Sequence, residues 1–100
     1  MLAWESAVTT LLDPNRPLPE REFAAVSLGG EVSNPTVVDA LLKIACDKDS
    51  PERLQSATAR SLAKAFLRAG RLLDAPLEEF TGIAFDAFDQ EVTESQRKGS

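Results

Sequence analysis

The chain has 100 residues, 43% of them hydrophobic and 27% charged, with a formal net charge of −5. That length holds one hydrophobic core and not two, and the composition is that of a folded domain rather than a disordered segment. Histidine and tyrosine are absent and Cys46 is the one cysteine, which excludes an imidazole base, a Ser-His or Cys-His nucleophile pair and an internal disulfide.

Trp4, Ala7, Val8, Leu11 and Leu12 recur at helical spacing, so a first helix is expected over Met1 to Leu12. Asp13-Pro14-Asn15-Arg16-Pro17 breaks it, and Pro19 suits the first turn of a second helix, expected over Glu20 to Leu28 with Phe23, Ala24, Val26 and Leu28 available for burial. Gly29-Gly30 ends that helix.

A third helix is expected from about Pro35 to Cys46, capped by Asn34, with Val37, Val38, Leu41, Leu42 and Ala45 on a broad apolar face. Ser50-Pro51 repeats the same opening, with Glu52 in a first turn where the helix dipole favours a carboxylate. This fourth helix runs to Ala69 and stops at Gly70. Only Asp47-Lys48-Asp49 separates the two helices, so they fold back on each other as an antiparallel hairpin. On the fourth helix Leu54, Thr58, Leu62, Ala65, Phe66 and Ala69 take one side; Arg53, Arg60, Lys64 and Arg68 line the other, with Leu67 beside them.

Leu72 and Leu73 are expected to pin a linker to the core, and Pro76 to open a fifth helix reaching about Val92. Its buried side is Leu77, Phe80, Ala84, Phe88 and Val92; Glu78, Glu79, Asp86 and Asp89 gather on another arc with Phe85 at its border. Gly82 in mid-helix implies close packing against a neighbour. The domain is expected to span 1–93, with 94–100 a flexible tail.

Displacing the sequence by 34 residues superposes Trp4 on Val38, Ala7 on Leu41, Val8 on Leu42, Asp13 on Asp47, Pro17 on Pro51, Ala25 on Ala59 and Leu28 on Leu62. Each unit is an apolar helix, an Asp turn with a proline, and a helix with small alanines before a leucine. Through Pro35-Thr36-Val37-Val38-Asp39-Ala40-Leu41-Leu42, Asp47-Lys48-Asp49 and Ala57-Thr58-Ala59-Arg60-Ser61-Leu62-Ala63, the chain resembles the HEAT family of helical hairpin repeats over about residues 4–69. Two-helix units that cannot bury their apolar face alone stack on their copies. The expected fold is all-α, with about five helices whose antiparallel hairpins stack HEAT-like into a compact right-handed array or bundle.

Charge is unevenly spread. Residues 1–73 carry nine acids and nine bases, whereas 74–94 carry Asp74, Glu78, Glu79, Asp86, Asp89, Glu91 and Glu94 and no base. No phosphate-binding glycine loop occurs, Asp47 and Asp49 lack the glycine and distal glutamate of a calcium loop, and Asp86 with Asp89 reads as a solvated face rather than a metal site. Neither a cofactor nor an enzymatic activity is therefore expected. The expectation is a non-enzymatic domain that binds a basic partner protein through Glu78, Glu79, Phe85, Asp86 and Asp89. By analogy with small acidic helical proteins, one form of it is an immunity protein neutralising a nuclease toxin. The alternatives are a nucleic-acid-binding helical repeat using Arg53, Arg60, Lys64, Arg68 and Leu67, a contact that the HEAT resemblance allows but net charge disfavours, and a structural scaffold subunit. Glu5 interrupts the N-terminus before a signal-peptide core and no apolar run is long enough to span a bilayer, so a cytoplasmic location without membrane insertion is expected.

Overall fold

A computed structural model describes residues 3–30, 34–71 and 74–98. It is all-helical, with five α-helices: α1 (Ala3–Leu12), α2 (Leu18–Ser27), α3 (Pro35–Ala45), α4 (Glu52–Ala69) and α5 (Gly82–Lys98). Short 3₁₀ turns at Leu28–Gly30 and Leu77–Glu79 complete it, and no strand occurs among the described residues. The radius of gyration is 12.5 Å.

The apolar stripes decide the packing. α4 is the central helix: it lies against α2, α3 and, most extensively, α5, while α1 lies against α2 and α3. Corresponding helices of the two hairpins are thus neighbours, α1 with α3 and α2 with α4. Leu11, Leu28, Leu41, Leu54 and Leu62 are completely or almost completely buried between them. Ala24, Ala25, Ala40, Ala45, Ala59 and Ala63 are buried as well, and their small side chains let the helix backbones approach. Covering a leucine of this kind contributes about 1.5–3 kcal/mol.

The connections within the two hairpins repeat the same local chemistry. Asp13 Oδ1 accepts the Asn15 N–H at 2.9 Å, and Asp47 Oδ1 accepts the Asp49 N–H at 2.9 Å. Each turn ends on a proline in extended conformation, Pro17 (φ −57°, ψ 143°) and Pro51 (φ −52°, ψ 138°), whose carbonyl accepts the first helical N–H groups. Ser50 therefore does not cap α4; its hydroxyl donates to Asp47 Oδ2 and tightens the turn. Asn34 does cap α3, accepting from Thr36 and Val37, and Gly70 ends α4 with φ 67°, the left-handed geometry that glycine adopts without strain.

Four expectations change. On α2 the buried stripe is Arg21, Ala24, Ala25 and Leu28, while Phe23 and Val26 face solvent. The Arg21 guanidinium is buried because its Nε donates to the Leu11 carbonyl at the end of α1, satisfying a terminal acceptor that the helix leaves open. It occupies the position of Gln55 in the second hairpin, which is also buried and whose amide donates to the Ser50 carbonyl at 2.6 Å.

The fifth helix begins at Gly82, not at Pro76. Thr81 caps it: Oγ1 accepts the Ala84 N–H and donates to Gln55 Oε1 at 2.6 Å, while the Thr81 N–H donates to the Ala45 carbonyl. These bonds to α3 and α4 fix the start, and Pro76 instead precedes the 3₁₀ turn. Gly82 stands in the first turn with nothing within 4 Å of where a Cβ would project, so close packing is not its reason. At the other end the helix continues to Lys98 although 93–97 are exposed. Extending a helix already nucleated costs little, Glu94, Gln96 and Arg97 are good helix formers, and basic residues suit a C-terminal turn. Leu72, Leu73 and the last two residues, assigned to the linker and the tail, lie outside the described residues.

Candidate functional site

The five residues expected to meet a partner fall on two elements. Glu78 and Glu79 belong to the 3₁₀ turn; Phe85, Asp86 and Asp89 belong to α5. They do not share one helical arc, because Phe80 is extended (φ −70°, ψ 148°) and interrupts the periodicity between them. Within α5 the expected arc survives: Phe85, Asp86 and Asp89 lie within about 100° of one another by helical geometry, opposite buried Ala84, Ala87 and Phe88. Phe85 is 44% exposed and Leu77 is also exposed. Beneath them Phe80 and Phe88 meet edge to face, ring centroids 5.4 Å apart, and hold the turn against the helix.

Glu78, Glu79, Asp86 and Asp89 are all exposed, and none has an ion-pair partner among the described residues. Glu79 does act locally. Burial first, and the Glu79 carboxylate second, push the Cys46 thiol above its ordinary value of 9.0, which makes it a poor nucleophile at neutral pH.

The basic line of α4 has a different environment. Its Arg53, Arg60 and Lys64 line a groove of ≈ 660 Å³ between α2, α4 and α5. Arg53 Nε lies 2.7 Å from Glu22 Oε1, an oxygen shielded from solvent, in an ion pair lacking hydrogen-bond alignment; its second nitrogen donates to Oε2 at 3.3 Å. Lys64 Nζ lies 3.4 Å from Glu91 Oε1. Glu52 also lines the groove, so three acids offset its three bases. Arg60 and Arg68 are exposed and have no such partner among the described residues; Leu67 is half-buried. The acid that meets the basic line from α5 is therefore Glu91, on the side of the helix away from Phe85.

Sequence reasoning missed Thr81, Gln55, Arg21 and Glu91. Thr81-Gly82 was a readable cap signal, outweighed by proline at 76. Arg21 and Gln55 were readable only as a pair, by asking what the 34-residue displacement superposes at each polar position of a buried stripe.

Among the described residues these features define five helices in paired hairpins, with a charge-compensated groove and an acidic end without counter-ions. No family model, no curated protein and no solved structure matches the chain. Among the described residues no group of three metal-ligating side chains occurs and no helix is long and apolar enough to cross a membrane.

Proposed function

We propose that this chain is a non-enzymatic protein-binding domain whose acidic C-terminal end engages a basic partner protein. The observation that carries it is the contrast in pairing: the molecule uses Glu22 and Glu91 against its own bases, while Glu78, Glu79, Asp86 and Asp89, beside exposed Phe85, have no counter-ion among the described residues. Fixed acids around an aromatic anchor accelerate encounter with a cationic surface and then hold it. A toxin held by an immunity protein is one partner of that chemistry. The nucleic-acid reading has less support, since two of its four bases are already neutralised within the fold.

The test is affinity capture from cells of origin followed by binding kinetics on the purified partner. Charge reversal at Glu79 and Asp86 (Glu79→Lys with Asp86→Lys) is expected to slow association about 10-fold or more at low salt, with little change in dissociation. Unchanged association kinetics in the double variant remove the electrostatic mechanism.

A further inference from the structure

The 34-residue displacement carries an inference about a different surface. In the second hairpin, Ala40 borders a groove lined by Val8 of α1, Ala57 is half-buried, and Ser61 is buried with its hydroxyl donating to the Ala25 carbonyl of α2 at 2.6 Å. Those positions form the face by which the second hairpin sits on the first. Their counterparts in the first hairpin are Ser6, Phe23 and Ser27, and these line an open groove of ≈ 660 Å³ between α1 and α2 among the described residues. Serine in place of alanine at position 6 suits an outer surface. Phe23 in place of Ala57 does not: it is 74% exposed, the most exposed large apolar side chain among the described residues, with Val26 one turn on at 60%.

We infer that this α1–α2 face binds a second copy of the chain about a two-fold axis, with Phe23 of each copy seated in the groove of the other. The patch carries a projecting ring and a groove side by side, the self-complementarity that a two-fold contact requires. Its rim holds one charge of each sign, Arg16 and Glu20, so two copies meet without like-charge repulsion. The acidic end cannot pair with itself, and continued stacking of one copy on another is blocked because α5 lies along α4, where a next hairpin would sit. Two helices of ten residues give a face only about 15 Å long. That is at the small end of specific interfaces, so association is weak.

Sedimentation velocity on the full chain, from low micromolar concentrations to about 1 mM, reads this directly. The expected result is a reversible monomer–dimer equilibrium that is abolished in Phe23→Asp and in Ser27→Arg, and kept in Phe23→Leu. Both abolishing positions are exposed, and an unchanged far-UV circular dichroism spectrum and melting temperature separate loss of association from loss of fold. A wild-type chain that stays monomeric throughout overturns the inference. So does a dimer that survives both Phe23→Asp and Ser27→Arg, or growth beyond two copies.

Discussion

The two hairpins have the same plan and different fates. The second is enclosed: α4 has α2 on one side, α3 behind it and α5 along it, and its buried amide Gln55 ties three segments together. The first is an edge: α2 meets α4 on one face and opens to solvent through Phe23 on another. Equivalent residues therefore do unequal work. Leu28 and Leu62 superpose in the repeat and are both essentially buried, yet one lies in the 3₁₀ turn that follows α2 and the other in the middle of α4.

Leucine truncation is the sharpest test of that difference. Leu62→Ala is expected to destabilise by about 3–5 kcal/mol, and Leu28→Ala by ~2 kcal/mol, because a short turn at the end of α2 can settle into the space while a helix held on three sides cannot. Chemical denaturation of the two variants measures it, and equal losses break the comparison.

A smaller effect is expected at the joint between the second hairpin and α5. Thr81→Ala removes a helix cap and the bond to Gln55, at a cost of about 1–2 kcal/mol. Thr81→Ser retains the hydroxyl and restores most of it. Hydrogen exchange should place the loss of protection in the first turns of α5; loss spread evenly through α1 and α2 contradicts a local joint.

The smallest effect concerns Cys46, at the end of α3 and close to that joint. Its thiol is raised above 9.0 in the folded chain, so the unfolded state loses the proton first. The contribution to stability is fully present below about pH 9 and is lost as pH rises through the folded value. Alkylation of the native protein should be slow at neutral pH, and Glu79→Gln should move its pH profile downward by less than full unfolding does. A profile that Glu79→Gln leaves in place removes the carboxylate's part and leaves burial alone.

Much of the fold was legible in local patterns. The Asn34 cap and the Gly70 stop are properties of a few adjacent residues, and the apolar stripes of α3 and α4 follow helical spacing. The candidate site was legible in part. Asp86, Asp89 and Phe85 share an exposed face of α5 as the period implies, whereas Glu78 and Glu79 were carried onto that face by a helix start placed six residues early.

The sequence by itself determined that this chain is helical, that its two hairpins are copies in pattern and that its acids concentrate after residue 73. Each of these follows from residue type and short-range spacing. Tertiary structure decided between the two starts the sequence offers for α5, Pro76 and Thr81, since Thr81 is held by Ala45 and Gln55, residues far away in the chain. It decided which charges are used internally, since Glu22 and Glu91 reach α4 only once α2 and α5 pack beside it. It also left Phe23 in solvent while burying Arg21, because the stripe of a helix is set by which neighbours it meets, and α2 turns Arg21 and Ala25 towards α1 and α4 and leaves Phe23 on its open side.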